Sequence, residues 1–203
     1  MTALPKTYDR IAPIYDLLDG PYERLWKRRL RVDVFRGLDG DILDAGAGTG
    51  CNIFAYPHGA RITAVDASAP MLEQARLRAR RVGRAIDFRH MDLANLHFAD
   101  ATFDAVVATF VFMCIPEGGQ LPALRELARI CKSDGEIRLV DYCMSERPLV
   151  RAGMRVMSPW LRFAFDGTYR PRTEEYFEAA GLFCVHERLL FGDVVKMTIL
   201  RRK

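Results

Sequence analysis

The residues best suited to chemistry lie in Ile42-Leu43-Asp44-Ala45-Gly46-Ala47-Gly48-Thr49-Gly50, where an apolar strand pattern runs into a glycine-rich turn. Glycines at a strand-to-helix turn let a ligand approach the backbone closely, because no Cβ intervenes. The dinucleotide-binding pattern is G-x-G-x-x-G. Here the third glycine comes one residue early, and Cys51 stands where that pattern has glycine. Such a loop need not cradle a pyrophosphate, and it suits a nucleoside. Asp44, two residues before Gly46, has the charge to meet an ammonium group. Asp66 ends the next apolar stretch, twenty residues after Gly46, where a carboxylate can accept both hydroxyls of a ribose. Asp92 follows a third stretch. It reads either as a helix cap or as the acceptor of an adenine amino group, with the Leu93 N–H meeting a ring nitrogen. Three acids at the ends of three consecutive strands read as a binding rim more readily than as three caps.

These groups need a scaffold that brings strand ends together, and the rest of the chain supplies its pattern. Strands are expected at 41–45, 61–65, 86–90, 103–111 and 136–142. Helices are expected between them: a short one ending before Pro57, one from Pro70 to about Val82 stopped by Gly83, and one over 120–132 ended by Ser133-Asp134-Gly135. Strand and helix in alternation mean right-handed crossovers and a parallel sheet. Segments 183–190 and 194–200 around Gly192-Asp193 read as a closing hairpin. The expected fold is α/β: a doubly wound, mostly parallel seven-stranded sheet with a C-terminal antiparallel hairpin. Upstream, the pattern predicts a short helix, a turn at Asp19-Gly20-Pro21 and a helix over 21–36 with Tyr22, Leu25, Trp26, Leu30 and Val34 on its apolar side. Residues 147–165 read as a helix interrupted near Pro159, and 173–180 as a further helix. Two units are therefore expected: 1–38, a helical lid and membrane-contact segment, and 39–203, the α/β domain.

Composition narrows the function. The 203 residues are 50% apolar and 28% charged, enough for one globular core. The longest largely apolar run, Ala105 to Ile115, is eleven residues, about half of the ~20 that a membrane-spanning helix needs. Met1-Thr2-Ala3-Leu4-Pro5-Lys6 lacks the apolar stretch of a signal peptide, so a cytoplasmic location is expected, with peripheral membrane contact. Five cysteines without a C-x-x-C pair, and four histidines without ligand spacing, argue against disulfides and against a metal site. Two basic clusters stand out. One is Arg24, Lys27, Arg28, Arg29, Arg31 and Arg36; the other is Arg147, Arg151, Arg155, Arg162, Arg170 and Arg172. Such clusters suit an anionic partner.

Asp44 through Gly50, Ala64-Val65-Asp66-Ala67-Ser68, Met91-Asp92-Leu93, Phe103-Asp104 and Ser133-Asp134-Gly135 together resemble the class I S-adenosylmethionine-dependent methyltransferases. The likeness covers roughly residues 40–142. Ser133-Asp134-Gly135 departs from the family's usual Pro-Gly-Gly, and Asp before Gly still makes a turn. Tyr8-Asp9-Arg10-Ile11-Ala12-Pro13-Ile14-Tyr15-Asp16 is similar to the opening of quinone C-methyltransferases and of small bacterial phosphatidylethanolamine N-methyltransferases. The resemblance implies S-adenosyl-L-methionine as cofactor, with Asp44 at the methionine ammonium, Asp66 at the ribose, and Tyr8 and Tyr15 on a lid. Ala45, Gly46, Gly48, Gly50, Asn52, Ala67, Met71, Asp92, Leu93 and Thr109 complete the expected cofactor set.

Methyl transfer needs orientation and a dry site more than a catalytic triad, since holding the reactants in line can lower the barrier by roughly 7–11 kcal/mol. Tyr15, Asp141 and Tyr142, near strand ends, are the candidate proton acceptors or orienting groups. The acceptor is read from surfaces. Arg147, Arg151 and Arg155 fall on one helical face beside Met154, Met157, Trp160, Leu161, Phe163 and Phe165. Phe54-Ala55-Tyr56-Pro57-His58-Gly59 and Phe165-Asp166-Gly167-Thr168 are similar to membrane-associated thiol and lipid methyltransferases. An amphipathic small molecule or phospholipid is the expected substrate and an anionic membrane the expected partner. Phosphatidylethanolamine is the leading acceptor, in phosphatidylcholine synthesis. A quinone ring or hydrophobic thiol is the alternative. RNA ranks below both, because no aromatic stacking motif or auxiliary RNA domain is present, and no nucleic-acid partner is expected.

Overall fold

In the computed structural model, helices cover both faces of a central sheet, and this is why its middle strands are apolar throughout. Residues 7–169 and 171–203 are described; Met1–Lys6, Arg170 and the side chains of Thr7 and Arg24 lie outside the described residues. The reading of the N-terminus and two cations of the basic clusters fall there. The parallel strands are β1 (Asp41–Ala45), β2 (Arg61–Asp66), β3 (Asp87–His90), β4 (Phe103–Thr109) and β5 (Cys131–Tyr142); β6 (Leu182–Phe191) and β7 (Val195–Arg202) run antiparallel. The order is β3-β2-β1-β4-β5-β7-β6. The expected fold class is thus observed, with the hairpin seated against β5 through β7. Chain order reverses between β1 and β4, which makes that crevice the switch point where such sheets take ligands.

Helices α1 (Thr7–Tyr22), α2 (Arg28–Phe35), α3 (Ala69–Arg81), α4 (Glu117–Ile130) and α5 (Pro148–Phe165) complete the frame. The sheet's two faces carry separate cores. Leu43, Val106, Ile137 and Leu139 pack with Leu124 and Leu127 of α4 on one side. Ile42, Val107 and Val140 pack with Leu30, Val34 and Phe35 of α2 on the other. Each such buried side chain contributes about 1.5–3 kcal/mol. A third cluster, Met113, Cys114, Leu161, Ala164 and Phe165, joins α5 to Tyr8, Ile11, Tyr15 and Leu18 of α1.

The N-terminal segment differs from its expected form. No turn occurs at Asp19-Gly20-Pro21; α1 runs through Pro13 and Pro21 into a π-helical turn at Glu23–Lys27 and on into α2. A π turn holds an extra residue, and here the Arg28 N–H bonds the Glu23 carbonyl five residues back. It also re-phases the side chains from Glu23 onward. Leu25, expected on the apolar side, is 76% exposed, while Lys27 and Arg31 are buried. Downstream, Pro159 does not interrupt α5, because it lies exposed where the carbonyl it leaves unpaired can meet water. Ser133-Asp134-Gly135 is no free turn: pairing steps from Phe103–Cys131 to Ala105–Glu136, so β5 bulges beside Asp104. The helix expected over 173–180 is two 3-10 turns, Thr173–Tyr176 and Glu178–Ala180, a common form for pieces this short.

At the end of β5, Asp141 follows Ile137 and Leu139 onto the α4 side of the sheet, and Tyr142 follows Val140 onto the α2 side. The Asp141 carboxylate accepts the Met113 N–H (3.4 Å) and is also bonded by the backbone of Phe112. It anchors the turn after β4. Burial pushes this carboxyl up to about 8, and those backbone donors only partly offset it. The unfolded chain would lose that proton near pH ~3.9, so the folded state binds more proton between the two values and stability falls as pH rises through them. Asp141→Asn keeps an oxygen for the turn and removes the charge. Its melting temperature should exceed that of the native protein by a few degrees near pH ~8.5, at roughly 2–4 °C per kcal/mol, and match it near pH ~4. Calorimetry at both pH values checks this; a gap that is the same at both would show that the charge is not the cause.

Candidate active site

The loop after β1 is built by its own backbone. Gly46 and Ala47 donate to the Val65 carbonyl (2.8 and 2.9 Å), and Gly48 N–H reaches Asp66 Oδ2 (2.8 Å). Gly46, Gly48 and Gly50 all sit at positive φ. A Cβ on Gly50 would stand 3.1 Å from the Ala75 Cα, so this glycine seats the loop on α3. A Cβ on Gly48 would meet nothing within 4 Å, so the space above it stays open to a ligand.

That space is a partly open cavity at the β1/β4 crevice, the place where sheets of this topology take small molecules. Of the residues singled out from sequence, Tyr8, Tyr15, Gly46, Gly48, Asp66, Ala67, Met71, Leu93 and Thr109 line it. Asp66 Oδ1 accepts the Ser68 N–H (2.8 Å), the Ala67 backbone also bonds the carboxylate, and its remaining acceptor capacity is open to a ligand. Burial raises its carboxyl, partly offset by those donors.

The structure does not bring Asp44, Ala45, Gly50, Asn52 or Asp92 to the cavity wall. Asp44 follows Ile42 onto the α2 side and is fully buried. Both its oxygens accept the Asn52 amide (3.0 and 2.9 Å), and Oδ2 also takes the Tyr56 hydroxyl. Burial pushes Asp44 up to about 6 against those donors. It stands behind the wall, under Asn52 and Tyr56. Asp92 caps a turn, accepting the Ala94 N–H at 2.9 Å, and Leu93 beside it faces the cavity. Asp141 faces the opposite side of the sheet, and Tyr142 lines a neighbouring chamber. The phenols of Tyr15 and Tyr142 are raised by burial and then by the Asp19 carboxylate, so both stay protonated at neutral pH. Protonated phenols suit orienting roles.

Arg31 belongs to the first basic cluster of the sequence, and the structure places it in the cavity wall. It pairs with Glu23 and donates to Asn52 Oδ1 (2.6 Å) and Thr109 Oγ1 (3.1 Å). Lys27 is likewise buried, on Asp19 at 2.6 Å. One signal in the sequence points this way: Lys27, Arg31 and the core residue Phe35 repeat at four-residue spacing, so they share a helical stripe.

Helix α1 covers the cavity with the paired motif Tyr8-Asp9 and Tyr15-Asp16, seven residues or two turns apart. The tyrosines face the cavity. Tyr8 donates to the Phe165 carbonyl at 2.7 Å. The aspartates latch the helix to the loops beneath: Ser68 Oγ donates to Asp9 (2.7 Å), Thr49 Oγ1 donates to Asp16 (2.7 Å), and Arg78 pairs with Asp16.

A model of the methyltransferase-domain family matches residues 42–135. The chain is 34% identical to phosphatidylethanolamine N-methyltransferase of Cereibacter sphaeroides over 144 residues, 70% of this chain and 69% of that one. It is 30% identical to 2-phytyl-1,4-naphtoquinone methyltransferase of Synechococcus elongatus over 191 residues, 88% of this chain and 80% of that one. Among solved structures, mitomycin 7-O-methyltransferase MmcR superposes with a TM-score of 0.73 at 19% identity, over 97% of this chain and 60% of that one. At that identity the superposition speaks to the fold alone. Relatives of this identity and reach place the chain plainly: it belongs to the class I S-adenosylmethionine-dependent methyltransferases.

Proposed function

We propose that this methyltransferase N-methylates phosphatidylethanolamine at an anionic membrane surface. The observation that carries the proposal is an apolar stripe exposed along α5. Leu149, Val156 and Phe163 are 89%, 78% and 81% exposed, and Trp160 is half-exposed in line with them. At 3.6 residues per turn these four share one side of the helix. Arg155 and Arg162 each precede a stripe residue and so border it on one flank, an arrangement suited to a helix lying in the lipid interface. Ile14, Leu17 and Leu25 of the N-terminal segment add exposed apolar groups, and α1 packs on α5.

The basic surface is smaller than the sequence suggests. Lys27 and Arg31 are inside, Arg36 pairs with Asp33, Arg147 with Asp193, and Arg172 with Glu117 and Glu175. Each free cation near an anionic bilayer contributes about 1 kcal/mol, so the apolar stripe supplies most of the docking. Among the described residues no helix is long and apolar enough to cross a membrane. The relative at 34% identity is named for this same lipid.

The cavity fits the cofactor by its own chemistry. Asp66 has lone pairs for a ribose, Met71, Leu93 and Val111 make an apolar slot for a base, and the Arg31 guanidinium suits a carboxylate. Bound S-adenosylmethionine supplies an electrophilic methyl group; the chain positions it, with α1 as the lid that keeps water out. In this reading Asp44 and Asn52 act from behind, fixing the orientation of Arg31. A quinone ring is the second acceptor reading. The buried Lys27 ammonium favours it by suiting an acceptor hydroxyl that ionises, and the naphthoquinone-named relative at 30% identity is in keeping.

Two measurements test the proposal. Asp66→Asn should weaken S-adenosylhomocysteine about tenfold or more by calorimetry, since two charge-assisted hydrogen bonds lose strength. Unchanged affinity would remove the ribose assignment. Val156→Glu with Phe163→Glu should abolish flotation with vesicles of phosphatidylethanolamine and phosphatidylglycerol, while S-adenosylhomocysteine binding persists. Flotation that survives would exclude this face as the membrane contact, and absence of methyl transfer from the native protein to these vesicles would exclude the lipid as acceptor.

A further inference from the structure

Beside the cofactor cavity lies a second, smaller chamber. Tyr8, Tyr15, Phe110 and Cys114 line both and form the partition between them. Phe110 holds φ +59°, a conformation that bulky side chains adopt at a cost and that clusters at functional sites. Its ring packs against Tyr142 at 5.3 Å, and Tyr142 packs edge-on against Tyr169 at 5.1 Å. Trp160, from the exposed stripe on α5, also lines the chamber. The chamber therefore borders the exposed apolar face of α5.

Within this aromatic shell sits an ion pair. The Lys27 ammonium lies 4.7 Å from the centre of the Phe110 ring and 5.8 Å from that of Trp26, and it donates to Asp19 Oδ1 at 2.6 Å. Asp19 is only 3% exposed, yet its other oxygen, Oδ2, has no hydrogen-bond partner. A buried carboxylate oxygen without a donor costs free energy, roughly 1–3 kcal/mol or more for a charged group. Here that oxygen belongs to a residue lining a chamber contiguous with the cofactor site.

We propose that Asp19 Oδ2 receives the hydrogen of the acceptor's polar head, an amine N–H or hydroxyl O–H, and so selects and orients the group to be methylated. Lys27 holds the carboxylate in place through Oδ1, and the rings hold the apolar body. The inference deepens the acceptor reading above: it rests on an apolar molecule with a small donor head, of which phosphatidylethanolamine is the favoured case. An amine that has lost all its N–H groups to methyls would lose this contact, so the fully methylated product would be held less tightly than the substrate.

The test pairs ligands that differ only in the donor. One pair is dihexanoyl phosphatidylethanolamine and dihexanoyl phosphatidylcholine; the other is 1-naphthol and 1-methoxynaphthalene. Each is titrated by calorimetry into protein saturated with S-adenosylhomocysteine. Sites built around a hydrogen bond reject analogues that lack it, so the native protein should prefer the donor member of at least one pair by about tenfold or more. Asp19→Asn should bring that ratio to within about twofold and leave S-adenosylhomocysteine affinity unchanged. Should Asp19→Asn fail to fold, the double variant Asp19→Asn with Lys27→Gln removes the pair as a unit, strands no buried charge, and carries the same expectation. A preference confined to the naphthol pair supports the role of Asp19 and removes the lipid as acceptor. A preference that survives in the variants, or no donor preference in the native protein, overturns the proposal.

Discussion

Two cations buried over the carboxyl ends of the central strands dictate how the N-terminal helical segment must fold. Arg31 and Lys27 come inside on the stripe that ends in Phe35, and a buried charge left alone costs about 3–5 kcal/mol. Each finds its carboxylate eight residues upstream, Glu23 for Arg31 and Asp19 for Lys27. Meeting both requires the segment before α2 to stay helical and to lie over the carboxyl ends of the strands. That requirement accounts for two prolines within α1 and for the π turn after it. It also places Tyr8 and Tyr15 above the glycine loop. Without the pairs, α1 would have only the small third cluster and its polar latches to hold it down.

Much of the architecture is legible in the sequence because its signals are local. Apolar runs bounded by turn residues mark the strands, Pro70 and Gly83 bound α3, and Gly192-Asp193 marks the hairpin. The glycine loop and Asp66 are legible for the same reason: loop, strand end and acid lie close together in sequence. The features that escape depend on phase or on distant partners. A π turn shifts every later side chain, and nothing in the spacing of Tyr22, Leu25 and Trp26 announces it. A charge reads as exposed until its partner is seen, and so Arg31 and Lys27 read as surface cations. Asp44 misleads in the opposite sense. Its charge suggests a ligand, whereas parity along β1 sends it to the α2 side under Asn52 and Tyr56.

Parity also separates the groups at the end of β5. Asp141 and Tyr142 are neighbours in sequence, and adjacent residues of a strand face opposite ways. Tyr142 lines the aromatic chamber, and Asp141 does not. Asp141 holds the turn after β4 from below, and that turn carries Phe110 into the partition between the two cavities. The strained Phe110 backbone is held by its own N–H on the Val140 carbonyl at 2.6 Å. A single strand pair thus supports the wall on one side and lines the aromatic chamber on the other. Catalysis by orientation needs walls of this kind, since small displacements of donor or acceptor forfeit much of the gain from alignment.

The contacts that hold α1 differ along its length. Over residues 9–16, Asp9 and Asp16 are latched by part-buried bonds to Ser68 and Thr49, each contributing on the order of 0.5–1.5 kcal/mol net, and by an exposed pair with Arg78. Toward its end, Asp19 joins Lys27 in a pair shielded from water. The first set can exchange its partners for water at little cost; the second cannot. In the proposed reading, α1 would therefore open from the Tyr8 end, uncovering the nucleoside cavity while Asp19 and Lys27 stay paired. The donor could then be exchanged between methyl transfers without dismantling the site that grips the acceptor's head.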